Sequence, residues 1–150
     1  MEITTLNSLQ KLKLVTESDN GIIIHVQKSM IIRGENRLSY STIFRLIECC
    51  REYHWIKDIK PFINRNKIDS ICKSIKGEFK APIIPQTDIY IFYKVSEIRS
   101  KGYLINFWIK DVISERLLAK IWMVNVFVSP KTLNPVVPPG KIVKILDSLS

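Results

Sequence analysis

Apolar and polar positions alternate with two different periods along this chain, and the change of period divides it into elements. From residue 38 to residue 58 the spacing is helical: Ile43, Leu46, Ile47, Cys50, Tyr53 and His54 repeat at three and four residues. Phe44 and Trp55 widen that stripe, and neither Gly nor Pro interrupts it. Ser39 is the expected N-cap, since its hydroxyl can accept from backbone N–H groups of the first turn; Ser41 or Thr42 are later choices. A helix this apolar is expected to be wrapped by other structure rather than laid on a surface.

The flanking segments carry the two-residue period of strands. Residues 22–33 are expected to form the first, with His25 packed or exposed on it, and 34–37 a polar turn into the helix. Residues 60–67 read as a short basic connection with Pro61 and Asn64. Residues 68–80 alternate, with Ile71, Lys73 and Ile75 on one face and Ser70, Cys72 and Ser74 on the other. A Pro-rich corner over 81–86 leads to strands at 88–98, 103–112 and 117–128. Their short connections imply antiparallel hairpins. Within these apolar strands Asn106 and Asn125 need hydrogen-bond partners. Pro138, Pro139 and Gly140 introduce a short amphipathic helix with Ile142, Val143, Ile145 and Leu146. Residues 1–20 are weakly patterned; Leu6, Leu9, Leu12 and Leu14 suit a short helix or strand packed outside. The order predicts an α+β domain spanning 1–150, a curled antiparallel sheet wrapped around one long central helix.

Composition narrows the class. The apolar content of 46% and charged content of 25% are those of a globular protein. A net charge of +9, spread along the chain, suits anionic partners such as a phosphate-bearing cofactor, an acidic carrier protein or nucleic acid; it equally suits a solvated lysine surface. Three cysteines, two of them adjacent (Cys49 and Cys50), make no disulfide framework and point to a reducing compartment, with a cytoplasmic location expected. They lack Cys-x-x-Cys spacing, so no metal is expected. No apolar run reaches the ~20 residues of a membrane span, and no signal-peptide pattern opens the chain. There is no Gly-rich phosphate loop and no Ser-centred nucleophile elbow. Nucleic acid is an unlikely partner: the sequence has no concentrated basic stripe, binding motif or set of exposed stacking aromatics.

Several phrases in this order resemble the hotdog fold. Phe127-Val128-Ser129-Pro130-Lys131-Thr132-Leu133-Asn134-Pro135-Val136-Val137-Pro138 is similar to the phrase FVDxxTGRPVPxP that follows the final long strand in thioesterases of the 4-hydroxybenzoyl-CoA thioesterase type. Phe79-Lys80-Ala81-Pro82 resembles their Y-x-x-P-A corner, and Phe44 to Trp55 their YLRYFEEARTEW helix. Cys50-Arg51-Glu52-Tyr53 is closer to the CRE-plus-aromatic phrase of the polyketide (enediyne-type) thioesterases. The likeness covers about residues 22–146 and implies an acyl thioester hydrolase needing no cofactor. Its substrate would be an acyl-CoA or an acyl carrier protein. The fold also implies a homodimer or homotetramer, because a lone curled sheet leaves an edge unpaired.

One departure bears on mechanism. Many such enzymes carry D-x-x-G-H-V-N-N before the helix, whereas this chain reads Ile32-Arg33-Gly34-Glu35-Asn36-Arg37-Leu38-Ser39, with Ile32 at the place of the catalytic Asp. Glu35 is a substitute if the turn differs in length. A second branch works from a helix Glu, near the place of Glu48. The enediyne-type enzymes rely instead on polar and Arg groups, to which Arg51 corresponds closely and Asn36 loosely; Arg33 matches the Asn position without gaps. The resemblance thus gives Glu48, Glu35, Arg51 and Asn36 as catalytic candidates. Arg33, Ser39, Tyr40 and Ser41 are substrate-binding candidates. Glu48 stands three residues before Arg51, so a helix-surface ion pair is the competing reading of both, and a catalytically silent binding protein is the competing reading of the whole chain.

Overall fold

The computed structural model describes residues 21–150. The leucines at 6, 9, 12 and 14 lie outside the described residues, as do the side chains of 53–58 and 64–66. Strand β1 is Gly21–His25, helix α1 is Tyr40–Asp58 and helix α2 is Lys60–Asn66. Strands β2 (Asp69–Phe79), β3 (Asp88–Ser96), β4 (Gly102–Asp111) and β5 (Leu117–Val128) follow, and helix α3 is Gly140–Ser148. The strands form one sheet in the order β1-β3-β4-β5-β2, antiparallel at every junction.

The expected alternation holds on β3, β4 and β5. Ile89, Ile91, Tyr93 and Val95 face inward, as do Tyr103, Ile105, Phe107 and Ile109, and Ile121, Met123, Asn125 and Phe127; all are buried. Against this face α1 packs Ile43, Leu46, Ile47 and Cys50, also buried. Ser39 starts the helix as expected: its Oγ accepts from the Thr42 N–H at 3.2 Å and its carbonyl from the Ile43 N–H at 3.0 Å. Ile142 and Leu146 of α3 join the same core.

Three expectations fail. The first strand stops at His25, and Lys28–Met30 makes a turn of 3₁₀ helix. There the Val26 N–H bonds Thr87 and the Gln86 N–H returns to Val26, so loop pairing replaces the strand ladder. His25 is exposed and bonds Asp88 through Nδ1 at 2.7 Å. The basic connection at 60–67 is helical, because Pro61 sits in the first turn, where its missing N–H costs nothing. The third failure is on β2, where a bulge between Cys72 and Ser74 shifts the register. Ile71 pairs with outward Val126, whereas Ile75 pairs with inward Met123, so the two isoleucines point to opposite faces. Ser70, Cys72, Ile75, Gly77 and Phe79 therefore face the helix side.

The outer face of the sheet carries a row of rings. Tyr90 stacks on Phe92 at 4.8 Å and Phe92 on Trp108 at 5.2 Å. Lys120 Nζ lies 5.7 Å from the Trp108 ring centre and 4.6 Å from that of Trp122, which Lys76 also covers at 5.2 Å. Ring faces and lysine stems thus cover one another on a solvent-facing surface. Asn106, on this face, donates to Ser96 Oγ at 2.8 Å, which supplies the partner its position demands.

Candidate functional site

Two places gather the sequence-derived candidates, at separate points along α1. The first is the start of the helix. Gly34 takes φ +90°, which turns the chain through 32–37 toward Ser39. The Leu38 N–H then donates to the Ile83 carbonyl at 2.8 Å, so the turn and the Pro-rich corner grip the helix start together. Ser39 Oγ lies 2.9 Å from Thr42 Oγ1 and 3.1 Å from Ser41 Oγ. Two hollows flank this end. One, of 180 Å³, is lined by Ile32, Glu35, Arg37, Leu38, Ser39 and Tyr40. The other, of 190 Å³, shares Arg37, Leu38 and Tyr40 and runs to Phe79 and Lys80. Tyr40 is 55% exposed, its ring 4.5 Å from that of Phe79. Backbone N–H groups of the first turn, at Tyr40 and Ser41, precede the intrahelical bonding pattern and give this end a partial positive charge. Arg33 and Asn36 are exposed and line neither hollow.

The second place is the middle of α1. Arg51 donates to Glu48 twice, from Nη2 at 3.0 Å and from Nε at 3.3 Å, which realises the ion pair expected from their spacing. Arg51 is the more enclosed partner, its side chain 14% exposed against 43% for Glu48. Burial pulls the guanidinium pKa down, but the hydrogen bond and charge of Glu48, with Tyr103 and Glu52 behind it, outweigh this and hold it above its ordinary value. Below the pair lie groups that the motif comparison does not contain. Tyr103 of β4 is buried, its hydroxyl 3.1 Å from Ser70 Oγ of β2. Burial raises the Tyr103 phenol, so it stays a neutral donor. Cys72 is raised by partial burial and then by the Glu48 charge, with Arg51 opposing. Asn125 completes a row across three strands, paired with Cys72 on one side and Tyr103 on the other. Its own signal in the sequence was polarity inside an apolar strand; Ser70, Cys72 and Tyr103 carried none beyond the strand period.

The two places do not meet within one chain. At ~1.5 Å rise per residue, Ser39 and Glu48 are separated by roughly 13 Å along the helix axis. A thioester carbonyl at the helix start is therefore out of reach of the same chain's Glu48. Glu35, by contrast, shares the first hollow with Ser39 and Tyr40.

The open side of the molecule is β2. Ile75 is 43% exposed and Phe79 37%, although both face the helix side, because α1 does not extend over this strand. Within the sheet β2 pairs with β5 alone. A five-stranded antiparallel sheet curled about one long helix, with the helix start held between a glycine turn and a proline corner, decides the architecture. The fold is the hotdog fold. Solved structures agree with it over nearly the whole length. The 1,4-dihydroxy-2-naphthoyl-CoA thioesterase from Synechocystis matches with a TM-score of 0.76 at 11% identity, covering 87% of this chain and 96% of that one. A probable thioesterase from Escherichia coli gives 0.74 at 13%, covering 87% and 98%. Dynemicin thioesterase gives 0.74 at 12%, covering 87% and 96%. At such identities the likeness speaks for the hotdog fold alone. No family model matches the chain, and no curated protein matches it in sequence. Among the described residues of this hotdog domain there is no group of three or more His, Cys, Asp or Glu side chains able to hold a metal, and no helix long and apolar enough to cross a membrane.

Proposed function

We propose that this hotdog protein is an acyl thioester hydrolase that works as a homodimer, or as a homotetramer built from such dimers. The observation that carries the reading is the uncovered β2 edge beside the helix. Ile75 and Phe79 are exposed on the face that elsewhere is the core, and a second copy laid along β2 would cover them. Antiparallel pairing about a two-fold axis sets the α1 start of one chain against the middle of the partner's α1, which removes the separation of roughly 13 Å found within one chain.

In that arrangement the N–H groups at Tyr40 and Ser41 polarise the thioester carbonyl, where negative charge grows in the transition state. Ser39 and Ser41 hydroxyls order that end. A water attacks, activated by Glu48 across the interface or by Glu35 from the adjoining hollow. Arg51 holds the Glu48 carboxylate in place, and Asn36 borders the turn from which Glu35 projects. Arg33, with Arg37 and Lys80 at the hollows, supplies positive charge for the phosphates of the thioester carrier. A hotdog protein from Staphylococcus aureus was solved in complex with CoA, with a TM-score of 0.75 at 6% identity, and this supports acyl-CoA as the carrier ahead of acyl carrier protein.

The competing reading, a silent binder of acyl thioesters, is favoured by Ile32 standing where many hotdog thioesterases have their catalytic Asp. Hydrolysis of an acyl-CoA and acyl-carrier-protein panel separates the two. Wild type is compared with Glu48→Gln, Glu35→Gln and Arg51→Ala. A fall of orders of magnitude in one folded variant identifies the water-activating group. Binding without turnover on every substrate establishes the silent protein.

A further inference from the structure

Asn125 is 1% exposed, and its Oδ1 is a buried side-chain oxygen with no hydrogen-bond partner. Its Nδ2 donates to the Met123 carbonyl at 3.4 Å. Turning the amide over would break that bond and leave Nδ2 unpaired instead. An apolar residue of similar size would fit a row that otherwise reads Ile121, Met123 and Phe127. A buried acceptor kept without a donor is a standing penalty, and it is relieved when a donor arrives from outside.

The neighbours define which donor. Arg51 offers only N–H groups, and Tyr103 and Ser70 share a hydroxyl contact at 3.1 Å. Arg51 and Tyr103 interact electrostatically, which places the guanidinium above this row. A group entering here meets N–H and O–H donors on one side and the Asn125 oxygen on the other. A hydroxyl accepts from the first and donates to the second. A carboxylate only accepts and leaves Oδ1 unpaired; an ammonium only donates and opposes Arg51; a methyl satisfies neither. The exposed inner side of β2, at Cys72 and Ile75, opens toward this row, and Glu48 stands at its mouth.

We infer that the crevice between α1 and β2 recognises a short acyl group bearing a hydroxyl, whose O–H donates to Asn125 Oδ1 while its oxygen accepts from the Arg51, Tyr103 and Ser70 side. This assignment rests on the thioesterase reading for its substrate and adds the acyl selectivity. Sites built to pair a hydroxyl discriminate against the analogue without one far more strongly than apolar pockets discriminate one methylene.

The test uses the full-length protein and matched CoA thioesters: butanoyl beside 3-hydroxybutanoyl, and hexanoyl beside 6-hydroxyhexanoyl. The readout is the ratio of kcat/KM within each pair. At least one hydroxyacyl substrate is expected to be favoured tenfold or more. Asn125→Leu should bring that ratio to about one, and Tyr103→Phe should lower it less, since the acceptor remains. Circular dichroism and urea unfolding establish that each variant is folded. A ratio near one in the wild type for both pairs overturns the assignment and leaves the hydrolase reading standing. So does a ratio that survives in folded Asn125→Leu. If no thioester is hydrolysed, the hydrolase reading falls, and calorimetric binding of the same pairs decides the crevice. Tenfold tighter hydroxyacyl binding that Asn125→Leu abolishes supports it; equal binding refutes it.

Discussion

The Glu48–Arg51 pair should respond asymmetrically to the loss of either member. Arg51 is the enclosed partner and Glu48 the half-open one, at 14% and 43% side-chain exposure. Arg51→Met keeps the apolar stem and leaves a carboxylate that water can reach. Its cost is that of an exposed helix pair, about 0.5 kcal/mol or less. Glu48→Gln leaves a largely enclosed guanidinium with only a neutral amide oxygen in place of two charged contacts at 3.0 and 3.3 Å. That is the costlier direction, about 1–2 kcal/mol. The double variant should lie close to Arg51→Met, because removing the cation removes the penalty. Urea unfolding of the four proteins at neutral pH measures the cycle, with equal m-values required for the comparison. An Arg51→Met cost equal to or above that of Glu48→Gln would refute the argument that burial of the cation sets the energetics. So would strictly additive single effects.

Other consequences follow from the same geometry. Asn125→Leu should raise the urea midpoint in the absence of ligand, by about 1 kcal/mol or more in stability, because it removes an unpaired buried oxygen. A lowered midpoint would place a hidden partner on that oxygen. Ile75→Asp on the uncovered inner side of β2 should convert the dimer to monomer in analytical ultracentrifugation and abolish thioester hydrolysis together with it; an unchanged sedimentation coefficient would sink the shared-site model. Asp111 accepts from the N–H groups of Ile113 and Ser114 at the β4–β5 turn, chiefly the Ser114 N–H, and these hold its carboxyl below the usual 3.8. Its folded-state pKa is depressed, so its stabilising effect is present above 3.8 and disappears as the pH falls through the lower folded value. Unfolding from pH 6 downward should be steeper in wild type than in Asp111→Asn below about pH 4. Cys50 is fully buried and its thiol is pushed up by that burial, with Cys49 beside it adding to the effect. It should resist alkylation at pH 8 until denaturant is added.

The sheet was legible because its inner faces are almost wholly apolar. In β3, β4 and β5 the two-residue period and the burial of alternate side chains coincide, from Ile89 to Phe127. The helix was legible for the same reason, and Ser39 announced its start. The period failed where something other than burial decided the backbone. On β2 a single unpaired residue at the bulge reverses the facing of everything after Cys72, and alternation cannot register an insertion that leaves the residue types unchanged. At 60–67, Pro61 was taken as a breaker, although Pro within the first turn of a helix is favourable. The candidate site was half visible. Glu48 and Arg51 sit together as spacing requires, and Glu35 shares a hollow with Ser39 and Tyr40. Arg33 and Asn36 line neither hollow, since the turn at Gly34 leaves both exposed. The convergence of Ser70, Cys72, Tyr103 and Asn125 comes from pairing between strands distant in sequence, which no local pattern encodes.

The bulge at Lys73 also bears on which strands β2 will refuse. An uninterrupted edge accepts any extended segment in any register, including stray copies of itself in an open-ended stack. Here the ladder presented by Asp69–Cys72 is out of step with that presented by Ser74–Phe79, so a straight strand that fits one run misfits the other. Only a strand carrying the compensating offset completes both. The irregularity thereby works as a key cut into the edge. It admits a shaped partner and turns away unshaped ones, and so protects a long, partly apolar border from promiscuous pairing in a crowded cell.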